Sequence, residues 1–252
     1  MGSLVAKVIR SLNRLDRTVD NLNGRNDILK QQLVKKYPAI IKITHPCRTL
    51  IIGRSQSGKT TLAAELFTWM STQVDSVFLI SPTWKKQPTW KSIEKYITHG
   101  YANAQQGLRA VKQDIEGKPT LRRLLIIDDC SYESILNTGN KGLISELLYN
   151  AIWYNLSVLI ICHKVNNVSS SVRENLEHLI LFSTVNNLEL DSLMKNFSLS
   201  SNKKDFREVF SKIISEPIRT GVNLYPFIYI CYKGGAKCHE GFSCELNLIK
   251  YQ

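Results

Sequence analysis

Apolar and polar positions divide the chain into three stretches with different rhythms. Over the first 36 residues Val5, Val8, Leu12, Leu15, Val19, Leu22, Leu29 and Leu33 recur in a three-four spacing, with Asn26 standing in the seam and Gly24 weakening it. The register runs for about four heptads and predicts a helix with one apolar stripe, in which a single Asn can fix register and oligomer state. The stripe either packs on its own domain or pairs with a second copy. Pro38, after Lys35, Lys36 and Tyr37, ends this helix, because proline disfavours helical geometry in the residue before it.

Beyond Pro38, short apolar runs alternate with helical stretches. The runs at 49–52, 77–80, 124–127, 158–161 and 179–182 read as five buried strands, with a helix over 59–71 after the first. Such alternation predicts an α/β fold built on a doubly wound, mainly parallel sheet. From residue 186 charged helical segments reach about 215, and 227–232 and 244–249 read as strands at an edge or in a small flap. The expected organisation is therefore a helical arm at 1–37, an α/β core at 38–185, and a C-terminal α+β extension at 186–252.

Composition adds little to that picture, but charge does. Hydrophobic residues make up 43% and charged residues 21% of 252, ordinary values that give no sign of a disordered or fibrous chain. Lys and Arg number 33 against 21 Asp and Glu, a net charge of +12 that points to a polyanionic partner or, more blandly, to solubility. Eight Lys and Arg against three Asp in the first 36 residues allow the arm to touch nucleic acid as well. Six cysteines are too few for a disulfide framework, and Cys130 and Cys162 sit in or beside central apolar runs, so a reducing compartment is expected. No run approaches the ~18 apolar residues that would span a bilayer, and no secretory h-region is evident, so neither a membrane nor secretion is expected. Gly2 suggests a myristoylation start, but Ala6 stands where that motif wants Ser or Thr.

The candidate chemistry begins at the end of the first strand. Gly53-Arg54-Ser55-Gln56-Ser57-Gly58-Lys59-Thr60 satisfies G-x-x-x-x-G-K-[ST] between a strand and a helix, the context that makes this pattern a phosphate-binding loop. Its glycines let backbone amides curl round phosphates, Lys59 reaches the β and γ oxygens, and the Thr60 hydroxyl ligates magnesium. Gly53, Ser55, Gln56, Ser57, Gly58, Lys59, Thr60 and Thr61 form the expected nucleotide-binding set, with ATP and Mg2+ as cofactors. Asp128 and Asp129 close the run at 124–127, so Asp128 is expected at the magnesium and Asp129 at the attacking water. The bland alternative is a pair of aspartates capping a strand exit.

At the end of the next run His163 is the candidate γ-phosphate sensor, against the reading of a satisfied structural histidine. Arg173 can stabilise γ-phosphate charge in a neighbouring subunit, or pair with Glu174 or Glu177 on its own surface. Lys85, Lys86 and Lys91 interleave with Trp84 and Trp90 after the second strand. They either grip and stack on nucleic acid or form a solvated face over the tryptophans. Arg122 and Arg123, at the far end of the 124–127 run, read as structural. Cys231, Cys238, His239 and Cys244 could hold a metal, although their spacing fits no tight zinc knuckle and reduced cysteines are the default.

The phosphate loop, Ser81-Pro82-Thr83-Trp84, Leu-Leu-Ile-Ile-Asp128-Asp129, and the polar strand end at His163 followed by Arg173 together resemble the FtsK/HerA superfamily. The likeness is specifically to the poxvirus-type genome-packaging ATPases of large DNA viruses, virophages and polinton-like elements, and it covers roughly 45–185. It implies a RecA-like P-loop NTPase domain assembled as a ring, a hexamer, that hydrolyses ATP between subunits and drives double-stranded DNA into a preformed capsid. Lys59 and Thr60 match the Walker A pair, Asp128 and Asp129 the Walker B pair, and Arg173 the arginine acting in trans. His163 departs from the amide that relatives usually carry.

Partners implied by the resemblance are double-stranded DNA, further copies of the chain and viral capsid proteins. The implied location is the infected host cell, in a cytoplasmic viral factory or the nucleus, or with the virion. Competing readings are a nucleotide-dependent switch or small-molecule kinase on the same fold, a DNA pump of the superfamily outside packaging, and a capsid or nucleoprotein component that binds ATP without hydrolysing it.

Overall fold

The computed structural model describes residues 43–130, 135–137, 142–183, 187–197, 203–215, 226–232, 237–242 and 245–249. Side chains are described for these residues except 187, 203, 205, 209, 237–242 and 245–249. The helical arm expected at 1–37, with its apolar seam, lies outside them.

Nine described strands form one sheet. They are β1 (Arg48–Ile52), β2 (Ser76–Ile80), β3 (His99–Tyr101), β4 (Arg123–Asp128), β5 (Leu156–Cys162), β6 (His178–Leu181), β7 (Phe227–Cys231), β8 (Lys237–Phe242) and β9 (Glu245–Ile249). Their order is β3-β2-β4-β5-β1-β6-β7-β8-β9, parallel from β3 through β6 and antiparallel from β6 onward. The helices are α1 (Lys59–Met70), α2 (Pro88–Ser92), α3 (Ala104–Gly117), α4 (Leu143–Tyr149), α5 (Ser170–Glu174), α6 (Asn187–Phe197) and α7 (Lys203–Phe210).

Both faces of the parallel strands are covered, which is why the strands read as unbroken apolar runs rather than alternating ones. Leu50, Ile52, Phe78, Ile80, Leu125, Ile127, Val158 and Ile160 share one core with residues of α3, α4, α6 and α7. Ile51, Leu79, Leu124, Ile126, Leu159 and Ile161 share the other with α1, which buries Leu62, Ala63, Leu66, Phe67 and Met70 at helical spacing. The five expected central runs are all strands, and 59–71 is α1 less its last residue.

Two strands escape the apolar pattern. β3 is three residues long and partly exposed, and β8 mixes Lys, His, Glu and Gly. The first survives because β2 supplies its partner and Trp84 lies over Gly100, where an added Cβ would come within 2.5 Å of the ring. The segment expected as a C-terminal α+β extension from 186 contributes Leu190, Leu193, Phe206 and Ile214 to the core that contains β1, and β7 pairs with β6.

β5 lies between β1 and β4. Because all three run parallel, the loop after β1, the aspartates ending β4 and the polar end of β5 open on the same edge of the sheet, and His163 falls between the other two.

Candidate active site

The phosphate loop leaves β1 and turns into α1 through two residues with positive φ, Gln56 at 60° and Gly58 at 91°. Glycine adopts that conformation without strain, and the bend brings successive amides toward one point. Among the described residues no side chain caps the N-terminus of α1 and no acid occupies its first turn, so its free amides and positive dipole are left for an anion. Ser57 Oγ is buried without a hydrogen-bond partner among the described residues, a donor placed for a phosphate oxygen. Gly53 serves packing instead: a Cβ there would meet Phe182 Cβ at 2.5 Å and Ser57 Oγ at 2.9 Å.

A cavity of about 640 Å³ opens over this loop. Ser55, Gln56, Ser57, Gly58, Lys59, Thr60, Thr61, Asp128, Asp129 and His163 all line it, together with Glu65, Gln87, Phe182 and Phe227. The expected site residues thus converge on one cavity, apart from Gly53 behind it and Arg173.

Lys59, Asp129 and His163 form a chain of polar contacts. Lys59 Nζ donates to Arg54 O at 2.6 Å and lies 3.3 Å from His163 Nδ1, while His163 Nε2 lies 3.1 Å from Asp129 Oδ1. An ammonium can only donate, so Nδ1 accepts from Lys59 and Nε2 carries the proton directed at Asp129. Burial lowers the Lys59 pKa from its ordinary value, with Cys162, Asp128 and Asp129 pulling it back up. Asp129 is held at φ 54°, a conformation uncommon for a residue with a Cβ and one that recurs at functional sites.

Asp128 ends β4 almost fully buried. Burial pushes its pKa up to about 6, the Trp90 indole draws it back, and Asp129 adds to the rise. The indole Nε1 donates to Asp128 Oδ2 at 2.6 Å. A buried carboxylate with a hydroxyl on the facing loop, Thr60, is a hard oxygen set that fits Mg2+ completed by phosphate and water oxygens. The incomplete compensation of Asp128 is what a cation would relieve.

Arg173 stands apart. It lies on α5, outside the nucleotide cavity, and its guanidinium donates to the Val168 carbonyl of its own chain in a groove with Glu174, Asn196, Phe197 and Tyr232. Of the two readings of the loop after β2, the structure selects the solvated face over the tryptophans: Trp90 is fully buried and Trp84 nearly so, which removes both from base stacking, while Lys85, Lys86 and Lys91 are exposed. Glu65, Gln87, Phe182 and Phe227 in the cavity lining, and Trp90 on Asp128, are site residues that sequence reasoning missed. Trp90 stood in the sequence beside lysines, and only its three-dimensional neighbour, Asp128, reveals what it does.

Arg122 and Arg123 are structural as expected. Arg123 is wholly buried on Asp114 and the carbonyls of Leu121, Asp114 and Lys118, and Arg122 pairs with Asp75. The side chains of Cys238, His239 and Cys244 lie outside the described residues. Among those described, no three His, Cys, Asp or Glu gather as metal ligands, and Cys47, Cys130, Cys162 and Cys231 form no disulfide with one another. No described helix is long and apolar enough to cross a membrane.

No protein of curated function matches the chain in sequence. Among solved structures it is similar to the genome packaging NTPase B204 of Sulfolobus turreted icosahedral virus 2. The complex of that protein with AMP aligns with a TM-score of 0.56 at 16% identity, over 82% of this chain and 98% of that one. Its complex with ATP-gammaS aligns with the same score and identity over 78% and 98%. B204 described as the DNA-packaging ATPase from Sulfolobus turreted icosahedral virus gives a TM-score of 0.53 at 16% identity, over 83% and 100%. These likenesses establish the P-loop NTPase fold. The model of the Poxvirus A32 protein family matches residues 36–228, which span the whole parallel sheet and every residue of the nucleotide cavity, and the chain therefore belongs to that family.

Proposed function

We propose that this P-loop ATPase is a motor that packages double-stranded DNA into a preformed viral capsid, working as a hexameric ring. The observation that carries hydrolysis is the convergence of Lys59, Asp129 and His163 in one cavity at the mouth of the phosphate loop. The family, the B204-like fold and the net charge of +12 support DNA as the load.

In this reading the loop amides and Lys59 hold the β- and γ-phosphates of ATP. Asp129 accepts the proton of the attacking water as oxygen bonds to the γ-phosphorus and the bridging bond to ADP breaks. His163 keeps Lys59 and Asp129 in register, and its Nε2 proton can turn to a γ-phosphate oxygen or to the water. Thr60 and Asp128 would hold Mg2+, which when bound neutralises phosphate charge. Arg173, tied within its own chain and outside its own cavity, serves the cavity of an adjacent copy. The protein works in the infected cell, with DNA, capsid proteins and further copies of itself as partners.

The test is phosphate release by the purified full-length chain with and without duplex DNA, together with electron microscopy in the presence of DNA and a non-hydrolysable ATP analogue. Stimulation by duplex and rings threaded by DNA are expected. Turnover indifferent to DNA from a monomeric protein would overturn the motor.

A further inference from the structure

The connection from β2 to β3 is pinned at both ends of its basic stretch. At one end Trp84 lies across Gly100 of β3, with Lys85 Nζ 5.4 Å from the ring centroid. At the other, Trp90 is 0% exposed, packed in the core that holds Phe67 and Met70 of α1, and its indole N–H donates to Asp128 at 2.6 Å. Between these anchors Lys85 and Lys86 are exposed, with Lys91 just beyond. Gln87, which lines the nucleotide cavity, donates from Nε2 to Thr83 Oγ1 at 3.0 Å. A buried indole must find an acceptor, and here the acceptor is a carboxylate of the catalytic edge.

We infer that residues 83–91 are a relay between duplex DNA and the nucleotide site: Lys85, Lys86 and Lys91 contact the phosphate backbone, and Trp90 positions Asp128 in response. This rests on the DNA-motor reading. The side chains needed at each step are within one short segment. The lysines are free to meet a polyanion, and close packing around Trp90 leaves its ring no slack, so a shift of α2 displaces the indole N–H relative to Asp128. Trp90 acts through Asp128 and is a positioning residue; the lysines carry no sequence information and make the contact indifferent to base sequence.

Three full-length proteins test it: the wild type, Trp90→Phe, and a triple variant with Lys85→Ala, Lys86→Ala and Lys91→Ala. For each, three quantities are measured. They are duplex affinity by fluorescence anisotropy, the gain in affinity for a non-hydrolysable ATP analogue when Mg2+ is added, and the ratio of ATP turnover with duplex to that without. Trp90→Phe is expected to keep duplex affinity within about 2-fold and lose about 10-fold of the Mg2+-dependent gain, the usual cost of removing a partner behind a metal ligand. Its turnover ratio should fall close to one. The lysine variant is expected to bind duplex about 10-fold or more weakly with a shallower salt dependence, keep the Mg2+-dependent gain, and lose the turnover ratio.

A stimulated wild type whose two variants keep its turnover ratio overturns the relay and leaves the motor standing. A wild type with no response to duplex overturns both. Should Trp90→Phe fail to fold by circular dichroism, the lysine variant, altered only at exposed positions, decides alone: full duplex affinity in it overturns the relay.

Discussion

Arg123 and Asp128 close the two ends of β4, and both are buried charges, at 0% and 2% exposed. At the Arg123 end each nitrogen of the guanidinium has a partner: Nε has Asp114 at 2.7 Å, Nη1 has Leu121 O at 2.7 Å, and Nη2 has Asp114 O at 2.8 Å and Lys118 O. At the other end Asp128 is held by the Trp90 indole, and burial still pushes its pKa up to about 6. One strand therefore carries a closed ionic network at its N-terminal end and an under-compensated carboxylate at its C-terminal end. The first settles the packing of α3 on the sheet. The second fits the proposed role of Asp128 beside a cation and phosphates.

If that contrast is right, substitutions at the catalytic edge should cost rate and spare folding, whereas those at the opposite edge should do the reverse. The largest effect is expected from Lys59→Ala: loss of a positive group aimed at developing phosphate charge should lower turnover by about 1,000-fold, read as phosphate release, with the urea midpoint retained. Asp128→Asn should lower turnover about 100-fold while leaving the melting temperature of the nucleotide-free protein equal or higher, because it removes a buried charge that the empty site leaves partly uncompensated. A clear drop in melting temperature would break the comparison at its centre.

Arg123→Met should cost about 3 kcal/mol in urea unfolding, the scale for breaking a buried ion pair, with turnover per folded molecule unchanged. His163→Gln should change turnover less than about 10-fold, since an amide can accept from Lys59 and donate toward Asp129 at once.

The smallest effect lies on the exposed pair Asp75–Arg122. Hydrogen bonds from Arg122 hold the Asp75 pKa down at about 2, below its ordinary value of 3.8. A depressed carboxylate contributes stability above its unfolded pKa and loses it as pH falls through the folded one. Arg122→Ala should therefore slightly lower the urea midpoint at pH 7, with the difference closing between about pH 4 and pH 2. A difference that persists at pH 2 would assign it to packing rather than to the ion pair.

Much of the site was legible because its chemistry is local in the chain. The phosphate loop is eight consecutive residues, and Asp128-Asp129 announces itself at the end of an apolar run. His163 was legible by its place at a strand end, though not the contacts that occupy both its ring nitrogens. The placement of Trp90 stayed open between two readings because a tryptophan beside lysines has the same local signature whether it faces solvent or core. β3 and β8 were missed for a related reason: their residues carry no apolar period, and each is a strand because a neighbour offers a free edge.

Sequence alone determined the class of the fold and the identity of the polar groups that line the cavity over the loop, since apolar periodicity and the spacing of a loop are properties of neighbouring residues. Tertiary structure alone decided that β5 enters between β1 and β4, that His163 consequently bridges Lys59 and Asp129, and that Trp90 turns inward to Asp128. Those choices depend on contacts between residues 33 to 110 positions apart, and the free energy that selects them comes from burying both faces of the sheet at once.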